Sequence, residues 1–389
     1  MFGVLLEPIR RRFPAHFMLK DLVLLRGCFR LLFLYDVGEA IDLRRLRELL
    51  GPRGGPVKGV FPRRTPEYVR FEEAPIIEHI EPLNLGGGQR VACSLKYYSF
   101  AVLVVQFEVP FEGEWSTALA QASRWIDATE IDSHAREIAR RHLEQVAPAV
   151  IRPTQEWLSE SYFITNLAQA IKVGGEAAKA DELLSDHASE IVQLVRGEFT
   201  PLAPKTAAEI LEASVSYYPT DLVVIGSTAA VIYDRAEDAA ASFQVLEYAK
   251  MQLLEFRYYD GLMTRLLSDV YDSLETKRNL LLQRWSLPRE AERFNTIRLD
   301  VMELTERIDN AIKFVSDVYY ARLYRIAAAR LGVNEYRNLV DEKLRTMGEL
   351  YDFMVAEFNE ARSFVLELAI TVMALLDVIL FAILLAKGG

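Results

Sequence analysis

DLVVIGSTAAVIYD, residues 221–234, is the last stretch of this chain that reads as β-strand. DLVVI and AAVIY are short runs rich in β-branched residues on either side of Gly226-Ser227-Thr228, the pattern of two paired strands and a turn. From Glu237 to Ala386 no strand signal follows, and only Gly261, Pro288, Gly332 and Gly348 punctuate the run. The change of character predicts an α+β protein. A mixed α/β domain is expected over residues 1–235 and a coiled-coil-like hairpin of long helices over 236–363. A transmembrane helix over 364–386 and a short tail over 387–389 complete the plan.

Upstream of that stretch, strands and helices alternate. Residues 22–35 read as a helix end leading into a buried strand over 28–35. Residues 42–50 form a helical pattern, and GPRGGP, residues 51–56, is a loop by composition. VACSLKYY against FAVLVVQFEV, within residues 90–110, predicts a β-hairpin. Helices are expected over 114–126 and 130–147, a strand over 157–167, and one helix over 177–195.

Downstream, a heptad rhythm appears. Phe294, Ile297, Val301, Leu304, Ile308, Ile312, Val315 and Tyr319 step by threes and fours. Val340, Leu344, Met347, Tyr351, Met354, Phe358, Ala361 and Val365 repeat it. Gly332, in the Leu331–Asn334 turn between the two seams, is a natural helix terminator, so they predict an antiparallel hairpin. With no proline after it, the second arm runs to Ala386, roughly 80 Å at 1.5 Å per residue.

The end of that arm is LAITVMALLDVILFAILLA, residues 368–386: nineteen residues, twelve of them Leu, Ile, Val or Phe. At about −0.3 to −0.6 kcal/mol each they outweigh the roughly +2.5 to +3.5 kcal/mol of Asp377, so insertion into a bilayer is favoured. A buried helix of a soluble bundle would keep a polar stripe, which this run lacks. Such a span emerges only after synthesis ends, which leaves the body on the cytoplasmic side. Residues 1–6 are apolar but brief, and Arg10–Arg12 follow rather than precede them, the reverse of a secretory signal. Glu367, just before the span, and Asp377 are the candidate membrane and oligomer contacts.

Composition narrows the function classes. With 45 basic and 55 acidic residues the formal charge is −10, so nucleic acid is not an expected partner. Two cysteines, Cys28 and Cys93, build no disulfide framework and suit a reducing compartment. No phosphate-binding loop, nucleophile elbow or Cys-x-x-Cys occurs, and residues 84–88 (NLGGG) lack the helix a phosphate cradle needs. His134, Glu137, His142 and Glu144 have helical spacing but read as a solvated face. No catalytic, cofactor or metal residues are therefore expected. One polar cluster, Glu247, Glu255, Arg257 and Asp260, lies within VLEYAKMQLLEFRYYDGL. It reads either as a grip on a ligand or as an ion-pair network that fixes helix docking.

DLVVIGSTAAVIYD, LEYAKMQLLEFRYYD (residues 246–260) and the last span with its lone acid together resemble the "required for meiotic nuclear division" family. The resemblance implies an α/β body, a helical hairpin and one C-terminal membrane helix in a non-catalytic, membrane-tethered organiser. It offers no catalytic residues to carry over. The function expected is a self-associating scaffold, a homo-oligomer on the lipid bilayer, presenting its α/β domain to a cytoplasmic protein. The alternatives are an enzyme with a dispersed active site and a CorA-like transport component.

Overall fold

β1 (Val23–Asp36) alternates side chains between two buried faces and so becomes the centre of the molecule's sheet. The structure, a computed structural model, describes residues 23–56, 74–84, 90–126, 129–172, 174–277, most of 289–302, and 318–387. Residues 1–6, Arg10–Arg12, Gly86–Gly88 and residues 303–317 of the first seam lie outside them. The fold is α+β, with a mixed nine-stranded sheet, long packed helices and a long apolar C-terminal helix. The chain divides into two compact units, Met1–Glu255 with Ala311–Asn334, and Phe256–Asn310 with Glu335–Gly389.

The first unit holds the sheet. Its other strands are β3 (Gly54–Pro56), β4 (Ile76–Asn84), β5 (Arg90–Tyr97), β6 (Val102–Gly113), β8 (Ser159–Lys172), β9 (Ser214–Val215), β10 (Leu222–Ile225) and β11 (Ala229–Tyr233). They lie in the order β3-β4-β5-β6-β1-β8-β11-β10-β9. Every pairing is antiparallel except β11 with β8, where the chain crosses over. A second, two-stranded sheet joins β2 (Ala40–Ile41) to β7 (Val150–Ile151). Gly27 of β1 must be glycine, since a Cβ there would stand 1.9 Å from the Asn166 carbonyl oxygen.

One face of the large sheet is mostly apolar, with buried Thr165 and Glu78 its polar exceptions. Leu25, Phe29, Leu31, Phe33 and Tyr35 of β1 meet Trp115 and Ala122 of α2 (Trp115–Trp125) and Ile131 and Ile138 of α3 (Thr129–Gln145) in one core. α1 (Leu43–Leu50) adds Leu43, Leu46 and Leu50, its N-terminus capped by Asp42, which accepts from the Arg44 and Arg45 amides at 3.0 Å. The opposite face mixes Leu32, Leu34, Val104 and Ile164 with Arg30, Lys96, Glu160 and Tyr162. The first part of α7 (Ala239–Lys277) lies on this face, where the Arg30 guanidinium sits 3.8 Å from the Phe243 ring centroid. α8 (Val318–Leu331) packs beside α7, with the Tyr324 hydroxyl donating to Gln252.

Four expectations need correction. Residues 23–27 are strand, not a helix end. GPRGGP is not loop: residues 51–53 form a 3-10 turn and residues 54–56 pair with β4 as the edge strand, where Pro56 is tolerated. Residues 177–195 form two helices, α4 (Ala180–Asp186) and α5 (Ala188–Arg196), because His187 leaves the helical dihedrals and stacks on Trp115 at 4.9 Å. Gly261 and Gly348 punctuate nothing, since α7 and the long C-terminal helix over Val333–Lys387 run through them. β4 and α6 (Pro204–Leu211) have no counterpart among the expected elements.

The second unit is helical in its described residues. Gly332, at φ +85°, ends α8, and α9 (Val333–Lys387) starts at once, so the helix break falls where it was expected. Val340, Met347, Met354 and Ala361 of α9 are buried at seven-residue intervals. Phe256, Met263 and Leu266 of α7, with Ala291 and Val301, supply the rest of this unit's core. Arg257 lies 5.8 Å from the Tyr336 ring centroid and Asp260 pairs with Lys343, so α7 and α9 run in the same direction where they touch. Beyond Ala361 the burial stops, and residues 362–383 are all exposed.

Candidate functional site

Tyrosine and aspartate gather where β8, β11 and the loop before β10 end beside the start of α8. Tyr217, Tyr218 and Asp221 come from that loop, Tyr233, Asp234, Arg235 and Asp238 from the end of β11, and Tyr319 and Tyr320 from α8. They line a cavity of about 730 Å³ floored by Ala168–Ile171 of β8. The loop is held open by Asp221, whose two carboxylate oxygens accept from the Tyr217 and Tyr218 amides at 2.7 and 2.8 Å. The Ser216 hydroxyl donates to the Tyr218 carbonyl at 2.7 Å. Tyr217 stands edge-on to Tyr218 (4.7 Å) and to Tyr319 (5.6 Å), and Tyr319 stands edge-on to Tyr320 (5.1 Å).

The electrostatics of this wall are unusual. Burial pushes the Asp234 carboxyl up to about 6; Asp238 and Asp221 add repulsion, and the Arg235 amide opposes it. Burial also raises Tyr319, with Asp221 next in effect, and raises Tyr233, with Glu182 next. The Tyr233 hydroxyl donates to the Ala178 carbonyl at 2.6 Å, which fixes its ring at the cavity wall. Perturbed groups in a concave site are the usual signature of a working one.

The structure separates the polar cluster expected from sequence. Glu247 accepts from Lys96 Nζ at 2.6 Å and from the Tyr98 hydroxyl at 3.1 Å, in the first unit. Glu255 is buried on the same helix. Arg257 and Asp260 belong to the second unit and face α9. Glu247 and Asp260 thus take part in ion pairs between elements, the docking role, and the four do not converge on one pocket. Lys250, paired with Glu160 at 2.5 Å, is pushed down to about 8 by burial. Glu367 and Asp377 are exposed on α9.

His142 Nδ1 lies 3.2 Å from Glu78, which also accepts from Tyr97 at 2.9 Å, while His134 contacts its own helix at the Glu130 carbonyl. Among the described residues no three His, Cys, Asp or Glu side chains gather as a metal set. The cavity was missed because its signal is scattered. YYPTD (217–221), YDRAED (233–238) and YY (319–320) stand far apart, and only the crossover to β11 and the return of α8 unite them.

Residues 26–239, more than half the chain, match the family described as uncharacterized protein MJ0711, N-terminal domain. The chain belongs to the MJ0711 family. Uncharacterized protein MJ0711 of Methanocaldococcus jannaschii is 22% identical over 205 residues, 53% of this chain. The chain spans 62% of that relative's length. No solved structure matches. The comparisons carry no support for the expected likeness to the "required for meiotic nuclear division" family. The MJ0711 domain contains the sheet from Arg26 of β1 onward and most of the cavity wall, but ends before Tyr319 and Tyr320 and before the apolar half of α9.

Proposed function

We propose that this protein is a single-pass membrane scaffold of the MJ0711 family, with its sheet domain displayed on the cytoplasmic side to a protein partner. The observation that carries this reading is the C-terminal half of α9, where Phe364, Leu368, Leu376, Phe381 and Ile383 are among the large apolar side chains left in the open. The span over residues 364–386 extends about 35 Å at 1.5 Å per residue, enough to cross a hydrocarbon core, and residues 364–383 of it are all exposed. An apolar surface that continuous has no place in water. Cys28 and Cys93 as free thiols support a reducing, cytoplasmic location for the body.

Self-association follows from Asp377. A carboxylate at mid-depth costs roughly 2.5 to 3.5 kcal/mol against lipid, and such groups face protein or water instead. With one candidate span among the described residues, a second copy supplies that protein face. The test is mass measurement of the full chain in mild detergent, for wild type and Asp377→Leu. The reading expects a wild-type oligomer that Asp377→Leu weakens; a monodisperse monomer, the same in both, overturns it.

A further inference from the structure

The cavity between the Tyr217 loop, the end of β11 and α8 is built from two kinds of group with one preference in common. Tyrosine faces carry negative quadrupole potential and attract cations within about 6 Å of the ring centroid. Asp221, Asp234 and Asp238 outnumber the single guanidinium of Arg235, so the wall is net negative. Rings and carboxylates together select a cation with an organic body, whereas a hydrated metal ion would want carboxylates gathered closely around one point. The described residues hold no such group. The volume, about 730 Å³, lies within the range of roughly 300–1,000 Å³ typical of small-molecule sites. Tyr217 and Tyr218 are 61% and 49% exposed, so the aromatic rim is open to an arriving ligand.

We propose that this cavity binds a small organic cation, an amine or guanidine on an apolar body. The charged head sits against Asp234 and Asp238 and the body lies along the Tyr217, Tyr319 and Tyr320 rings. Asp221 acts as a positioning residue, since both its oxygens already hold the loop amides. A bound cation replaces the water that burial has taken from Asp234 and favours its charged form, so binding below neutral pH releases a proton. This site is separate from the membrane reading: it would hold even if residues 368–386 proved to be a buried helix.

The experiment is calorimetric titration of the full-length protein in detergent with 4-phenylbutylamine and with its neutral isostere, 4-phenylbutan-1-ol. The amine is expected to bind at least about tenfold more tightly than the alcohol. The double variant Asp234→Asn, Asp238→Asn should lose about tenfold or more for the amine and leave the alcohol unchanged. Unaltered circular dichroism shows that this variant folds. Should it not fold, the wild-type pH profile decides. The groups facing Asp234 are Asp221, Asp238, Arg235, Tyr233 and Tyr319, and burial raises the Asp234 carboxyl to about 6. Amine affinity should therefore fall between pH 7.5 and 5 while alcohol affinity stays flat. Equal affinity for both probes, no binding of the amine up to about 10 mM, or an amine affinity indifferent to both the variant and pH overturns the proposal.

Discussion

The two halves of α9 are one continuous helix of opposite pattern, the first striped and the second almost continuously apolar. In the first half, burial falls on Val340, Met347, Met354 and Ala361, one residue every two turns, with charged residues such as Asp341, Glu342, Arg345 and Glu349 between them. That is a helix with a stripe turned to protein and a remainder turned to water. In the second half the stripe vanishes: Leu375, Leu376, Val378, Ile379 and Leu380 cover the whole circumference, and none is buried. The difference teaches that where the apolar residues lie around a helix, together with how many there are, sets its surroundings. A stripe calls for a partner helix, and a sleeve calls for an apolar solvent.

The largest effect that could break this contrast is truncation. A chain ending at Arg362 keeps the striped half and its buried positions, so it should be recovered without detergent, whereas the full chain should not. Next comes a matched pair of methionine substitutions. Met347→Ala opens a hole in a packed stripe and should cost about 2–5 kcal/mol in denaturant unfolding, while Met373→Ala, on an exposed position, should leave that transition unmoved. Equal effects would erase the distinction between stripe and sleeve.

A smaller effect belongs to the ion pair that ties α7 to the striped half. Lys343 donates to both Asp260 and Thr264, and neither member of the ion pair is more than a quarter exposed. Lys343→Met should cost about 1–3 kcal/mol, measured by the same unfolding transition. The smallest is a pH effect confined to the sheet domain. Burial raises Asp36 and Asp234 from 3.8 to about 6, so between pH 7 and 5 the folded protein takes up protons that the unfolded chain does not. These two groups therefore add stability as pH falls through 6, and Asp36→Asn or Asp234→Asn should flatten the profile. Membrane attachment through residues 364–386 should not change over that range.

The same contrast explains what was legible in the sequence. Periodicity is a local signal, so the strands around Phe29 and Val104, the turn at Gly226, the break at Gly332 and the seam through Met347 could all be read from neighbours. β4 hid because Glu78, His79 and Glu81 interrupt its apolar residues and Pro82 lies where its register with β5 shifts. Glu78 is nonetheless buried, held by Tyr97 and His142 from other elements, which no local pattern announces. The pairing of α7 with α9 was also hidden. The seam of α9 was expected to match residues 294–319, most of which lie outside the described residues; Gly348 does lie beside Arg298, and Lys343 and Tyr336 also meet Asp260 and Arg257 of α7. The cavity is the extreme case, since its tyrosines and aspartates come from three segments that meet only through the sheet order.

Membrane insertion of residues 364–386 is the claim on which the scaffold reading depends, and carbonate extraction tests it most directly. Membranes from cells producing the full chain are washed at alkaline pH, and the protein is followed in pellet and supernatant beside the chain ending at Arg362. The account predicts the full chain in the pellet and the shortened chain in the supernatant. Full-length protein released by carbonate, or found soluble without detergent, would contradict it and make the apolar half of α9 a helix that another protein surface covers.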